Sequence, residues 1–183
     1  MLMQSVLWRR LDLPGHDCCT LSETSGGYSL TGSALFLHPQ GPALLHYALE
    51  LAHDWSTISA IVRGELGSAL IDYTFIREAT GWTLNRSPVP GLEAMLDLDL
   101  SFTPATNLQQ LRRVELKIGA AIDLPVAWFD IETRSLTTLA QRYERRGRLA
   151  YWYEAPTVPY KALLQFEPNG FVSDYPGLWR IEV

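Results

Sequence analysis

Turn signals recur along this chain at intervals of roughly 8–15 residues, and that rhythm limits what it can fold into. They include Pro14-Gly15, Gly26-Gly27, Pro39-Gln40-Gly41-Pro42, Gly64, Gly67, Gly81 and Pro88-Val89-Pro90-Gly91. Thr103-Pro104, Gly119, Arg146-Gly147, Pro168-Asn169-Gly170 and Pro176-Gly177 continue the series. Proline removes a backbone donor and clashes with the preceding helical turn, and glycine costs a helix conformational entropy. Long helices are therefore excluded. Short segments between regular turns predict an antiparallel β protein.

The segments between turns alternate as that fold requires. Leu45, Tyr47, Leu49 and Leu51 point one way, and His46, Ala48 and Glu50 the other. Leu96, Leu98 and Leu100 oppose Asp97, Asp99 and Ser101; Val114, Leu116 and Ile118 oppose Glu115 and Lys117. Leu149, Tyr151 and Tyr153 oppose Ala150, Trp152 and Glu154. A period of two marks strands with one buried face. Ser68 to Ile76, rich in β-branched and aromatic residues, reads as a strand as well. Asn107 to Arg113 fits a short helical turn capped by Thr106 or Asn107. Ser135 to Arg146 fits a helix nearly as well as a strand. No linker or charge block divides the chain, so residues 1–183 are expected to form one domain.

Apolar residues make up 47% of the chain and charged residues 19%, which excludes a disordered chain. The net charge of −5, from 15 basic and 20 acidic residues, argues against nucleic acid as a partner, since phosphate neutralisation needs a basic surplus. The first 13 residues carry Arg9 and Arg10 and no long apolar run, so no signal peptide is expected. No window is long and apolar enough to span a bilayer, and no stable membrane insertion is expected. A cytoplasmic location follows as the expectation. The adjacent Cys18 and Cys19 are poorly placed to bond each other and lack further metal ligands at a zinc-like spacing. There is no P-loop, no G-x-G-x-x-G and no nucleophile elbow, so no cofactor and no metal are expected.

Four features invite a functional reading beside a plainer one. Asp97 and Asp99, about 7 Å apart on one strand face, suit a cation or an acid/base pair; the plainer reading is a solvent face. The histidines at 16, 38, 46 and 53 show no metal-binding spacing. Arg112, Arg113, Arg142, Arg145, Arg146 and Arg148 suit phosphate or carboxylate, or a solvated face. Six tryptophans and eight tyrosines suit an aromatic-lined site for a lipophilic or sugar-containing ligand, or simply a core.

A set of fragments in fixed order adds a resemblance. They are His46-Tyr47, Asp54-Trp55-Ser56-Thr57, Gly81-Trp82, Asp97-Leu98-Asp99-Leu100, and Thr103-Pro104 with Thr106-Asn107. Leu111-Arg112-Arg113, Gln141-Arg142-Tyr143, Tyr151 with Tyr153, and Asp174-Tyr175-Pro176-Gly177-Leu178 follow. From Cys19 to the C-terminus the chain thereby resembles a bacterial glycolipid-binding family, formerly a domain of unknown function. It departs from the family pattern after Pro104, where Ala105 and Leu108-Gln109-Gln110 stand in place of an aromatic and a Leu-Pro-Ile. The family is named by fold likeness to exported lipoprotein carriers, and this chain shows no export signal. The resemblance implies a mainly β fold: a highly curved antiparallel sheet or open β-barrel or roll, with one or two short helical segments and an apolar interior.

The expected function is therefore binding of a lipophilic small molecule, a glycolipid among the options, by a monomer or homodimer. Asp97, Asp99, Arg112 and Arg113 are the expected rim residues, and Tyr143 and Trp152 the expected wall. Such a site needs a cavity of roughly 300 Å3 or more. Two rivals stand beside it. One is a cofactor-independent hydrolase or isomerase using Asp97 or Asp99 with His46 or Tyr143, which needs those groups to converge on a cleft. The other is a structural homodimer built on exposed strand edges.

Overall fold

A computed structural model describes residues 2–182 of the chain. The frequent turns produce a run of antiparallel neighbours: β1 Leu2–Arg10, β2 Gly15–Thr24, β3 Gly27–His38, β4 Gly41–Leu51, β5 Thr57–Leu66, β6 Ala69–Glu78, β7 Gly81–Leu84 and β8 Ser87–Val89. The chain then leaves for an excursion of β9 (Leu98–Leu100), helix α1 (Asn107–Val114), β10 (Ala121–Asp123), β11 (Val126–Asp130) and β12 (Ser135–Leu139). It returns as β13 Arg142–Arg145, β14 Ala150–Ala155, β15 Tyr160–Phe166, β16 Val172–Tyr175 and β17 Trp179–Ile181.

Fourteen of these strands form one antiparallel sheet, in the order β10-β13-β14-β15-β16-β17-β1 through β8. The two ends of the chain pair in its middle, Trp8 opposite Ile181 and Arg10 opposite Trp179. The sheet is not closed into a barrel. A second sheet, β12-β11-β9, includes a parallel pair, β9 with β11.

The period-two segments bury the face their pattern selects. Leu45, Tyr47, Leu49 and Leu51 of β4 are buried, as are Tyr151 and Tyr153 of β14. That face is not left open. The excursion packs into it, with Phe129 of β11 between Tyr73 and Phe75 of β6 at 4.8 and 4.9 Å and Phe102 edge-on to Tyr47. The interior is therefore filled by the chain's own insert, and any ligand site lies at the insert's margins.

Three expectations are corrected here. Asp97 and Asp99 do not form a solvent face: both sides of β9 are covered, one by the insert and one by the large sheet, and the two carboxylates are 0% and 9% exposed. Val114 to Ile118 is not a strand. It is the end of α1 and a loop, because Glu115 turns left-handed (φ 43°) and its N–H closes the helix on Leu111 O. The segment 135–146 is neither one helix nor one strand but two strands, broken at Ala140-Gln141. The expected helix is observed. Thr106 stands at its N-cap without capping it through the side chain; its hydroxyl accepts from Leu100 N instead.

Two glycines carry specific duties. Gly67 turns β5 into β6 with φ +58°, a conformation L-residues disfavour. Gly32 makes room: it lies opposite both Cys19 and Tyr47, and a Cβ there would collide with the Tyr47 ring and with Cys18 O. The ring fills that gap so that its hydroxyl reaches Asp17, donating to Oδ2 at 3.0 Å. Gly32→Ala is expected to lower unfolding free energy by about 2–3 kcal/mol, through overpacking and a displaced Tyr47 hydrogen bond, as read by urea denaturation.

Candidate functional site

The insert is held on the sheet by buried polar contacts. Thr57, at the start of β5, takes the backbone N–H of Leu98 at 3.0 Å and the Gln109 amide at 3.1 Å on its hydroxyl. The Thr103 hydroxyl donates to Asp17 Oδ2, across from Tyr47. Asn107 Nδ2 donates to Tyr143 Oη at 2.6 Å. Gln110 Nε2 donates to Asp99 Oδ2 at 3.0 Å, and Gln110 Oε1 accepts from Gln141, whose own Oε1 accepts from Tyr153 Oη. Helix α1 thus turns Asn107, Gln109 and Gln110 inward onto Tyr143, Thr57, Leu98 O, Asp99 and Gln141, with Gln109 Oε1 buried and unpaired.

Arg113, in the last turn of α1 on the same face as Gln109 and Gln110, grips Asp97 with two nitrogens, Nε at 3.0 Å and Nη2 at 2.6 Å. Burial still pushes the Asp97 carboxyl above its ordinary range, and the guanidinium opposes that rise. Asp99 goes up to about 6, driven by burial and by the Asp97 charge against the Gln110 and Thr106 hydrogen bonds. Asp17 goes up to about 7, driven by burial against hydrogen bonds from Thr103 and Tyr47 and the Arg10 charge. The Tyr143 and Tyr175 phenols are pushed well up by burial, so they remain protonated donors.

Two clefts open beside α1. The larger, about 410 Å3, has a floor of Leu108 and Leu111 from α1, Leu149, Tyr151 from β14 and Phe166 from β15. Arg112, Arg145 and Arg148 border it, together with Glu115 and Glu167. Arg145 spends its donors on the carbonyls of Leu116, Gly147 and Arg148, which fixes the rim. Arg112 is tied at 2.8 Å to Asn169 O, and Arg148 is exposed. The smaller cleft, about 250 Å3, lies past the first turn of α1. Asp99 and Asn107 are part of its polar lining, and Trp128, Tyr153, Tyr160 and Tyr175 are part of its aromatic wall.

The six sequence-selected residues divide by position. Arg112 borders the larger cleft and Asp99 the smaller. Asp97 and Arg113 pair with each other and line neither cleft, and Tyr143 lies fully buried behind Asn107. Trp152 lies on the opposite face of β14 from Tyr151 and Tyr153, bonded to Glu154 and covered by Arg146. His46 is on the outer face of β4, bonded to Ser33, so it does not converge with Asp97 or Asp99. Among the described residues, no three of His, Cys, Asp and Glu are grouped to hold a metal, and no helix is long and apolar enough to cross a membrane. Cys18 points outward and Cys19 inward, both as free thiols. Sequence reasoning missed the cleft residues Leu108, Tyr160 and Trp128. Leu108 sits in a helix whose polar face is the buried one, Trp128 comes from a five-residue strand without alternation, and Tyr160 opens an alternating strand in which a cleft residue looks like a core one.

Comparison with known proteins gives two findings. A family model described as "Putative glycolipid-binding" matches residues 5–181. The fold is also that of a crystal structure of a DUF1089 family protein from Pseudomonas aeruginosa, at TM-score 0.78 and 23% identity, covering 90% of this chain and 91% of that one. A search of curated proteins finds no match.

Removing Arg113 strands the Asp97 charge in the interior. Arg113→Met is expected to cost about 3–5 kcal/mol, with partial recovery in Arg113→Met/Asp97→Asn, measured by denaturant unfolding at pH 7.5. The raised carboxyls fix a sign for pH as well. A native acid that holds its proton longer than the unfolded chain contributes stability below the unfolded value and loses it as pH rises through the folded one. For Asp17 that window runs from 3.8 to about 7. Asp17→Asn is expected to gain stability relative to the parent across that window, by at most about 4 kcal/mol, in melts at stepped pH.

Proposed function

This chain belongs to the family described as "Putative glycolipid-binding", and from that membership we propose that it binds an amphiphilic ligand whose apolar part sits in the larger cleft. The observation that carries the reading is the cleft of about 410 Å3 floored by Leu108, Leu111, Leu149, Tyr151 and Phe166. Its size falls within the roughly 300–1,000 Å3 of ligand pockets. A chain of about eight methylenes laid there contributes about 6 kcal/mol at about 0.8 kcal/mol each, before the cost of ordering it. Arg112 and Arg148 at the border favour a polar or anionic end close to the mouth.

In this reading Arg112 meets the ligand at the larger cleft and Asp99 at the smaller. Asp97, Arg113 and Tyr143 act by holding α1, which separates the two clefts. Trp152, on the outer face, takes no part.

The test is a titration with 11-(dansylamino)undecanoic acid, a fluorescent acyl probe. Saturable enhancement is expected, weakened at least about tenfold by Leu149→Glu, which puts a charge on the floor, while the circular dichroism spectrum stays unchanged. Enhancement that does not saturate, or that is equal in the variant, would contradict the proposal.

A further inference from the structure

The smaller cleft has a different chemistry from the larger one. No Lys, Arg or His lines it, so nothing in it balances a phosphate, sulfate or carboxylate. Its aromatic wall is a packed group: Tyr153, Tyr160 and Tyr175 lie with ring centres 5.2–6.1 Å apart. Two of these hydroxyls are already engaged, Tyr153 with Gln141 and Tyr160 with Pro176 O, so the rings are held in place. Trp128 and Tyr160 are half-buried, and each presents part of its ring to the opening.

The floor is polar and mixed. Asp99, 9% exposed, accepts from Gln110 and is fixed in place. Asn107 uses its amide nitrogen on Tyr143, which leaves its amide oxygen as the remaining acceptor. Ser101 Oγ accepts from Ile131 N, which leaves its hydroxyl hydrogen to donate. Rigid aromatic surface beside donors and acceptors, with no basic group, matches one kind of molecule. A neutral sugar ring offers an apolar C–H face to an aromatic ring and hydroxyls around its edge to polar partners.

We infer that the smaller cleft is a subsite for one neutral sugar ring, with Trp128 and Tyr160 as stacking surfaces and Asp99, Asn107 and Ser101 as hydroxyl partners. The volume of about 250 Å3 suits a single ring better than a lipid chain. A quaternary ammonium also favours aromatic rings beside a carboxylate. It makes no hydrogen bonds, however, and would cover the Asn107 amide oxygen and the Ser101 hydroxyl hydrogen without pairing them, at a desolvation cost. The subsite deepens the proposed amphiphile binding by naming a headgroup class, but it does not depend on the larger cleft.

The experiment uses sugars alone, with the full-length protein. Methyl β-glucoside, methyl β-galactoside and methyl α-mannoside are titrated by saturation-transfer difference NMR and by tryptophan fluorescence, with choline chloride and inorganic phosphate in parallel. The expected result is saturable binding of at least one glycoside with Kd in the range of about 1–10 mM. Trp128→Ala and Asp99→Asn should each weaken it at least about tenfold, and phosphate should not bind. Trp128 is half-exposed, so its variant keeps the test decisive if Asp99→Asn fails to fold. No saturable glycoside, unchanged binding in Trp128→Ala, or binding of choline in place of the glycosides would each overturn the inference. Because the acyl probe reports the larger cleft separately, loss of the sugar site and loss of acyl binding are told apart.

Discussion

Three carboxyl groups, Asp17, Asp97 and Asp99, are buried where the insert meets the large sheet, and none of them can be buried without a partner. The partners they take are what hold the insert in place. Asp17, on β2, takes the hydroxyls of Tyr47 from the sheet and Thr103 from the insert. Asp97 and Asp99, on the insert itself, take Arg113 and Gln110 from α1. The Asp17–Thr103 contact therefore ties the insert to the sheet, and the other two hold α1 on β9 within the insert. They do so at a cost in intrinsic stability, because burial raises all three carboxyls. Apolar packing of the insert on the sheet, Phe129 against Tyr73 and Phe75, contributes stability of the opposite sign.

This arrangement explains why the clefts lie where they do. A sheet this long with one apolar face must cover that face, and here the insert covers it. What remains open is the seam where α1 meets β14 and β15. Asn107 and Leu108 are consecutive on α1, yet one lines the smaller cleft and the other the larger. Tyr153 and Tyr151, two residues apart on β14, divide in the same way. The first turn of α1 is thus a partition between an aromatic, polar-floored cleft and an apolar one with an arginine border. Polar and apolar parts of one molecule would find complementary surfaces on its two sides.

The sheet was legible in the sequence because its strands are long and one-sided. Leu45, Tyr47, Leu49 and Leu51 declare their buried face by period alone. The β7–β8 hairpin was not legible. It turns at Asn85-Arg86, both with positive φ, where the usual glycine is absent. The insert misled for a different reason. Alternation assumes one wet face, and β9 has none, so Asp97 and Asp99 read as solvent-facing although both are buried. For the site, Asp99 and Arg112 could be selected because ionisable and cationic groups stand out in a sequence. Leu149, Trp128 and Tyr160 could not, since an aromatic or leucine at a cleft looks the same in sequence as one in a core. Trp152 is a miss of selection and not of period: the alternation already set it against Tyr151 and Tyr153, and it faces the other side of the sheet.

The central claim is that the seam beside α1 holds a ligand with an apolar part. It is tested most directly by native mass spectrometry of the protein purified without detergent, then exposed to a lipid extract and re-measured. The account predicts a stoichiometric adduct that solvent extraction releases as a glycolipid or another amphiphile. A clean protein mass both before and after exposure to the extract would contradict it.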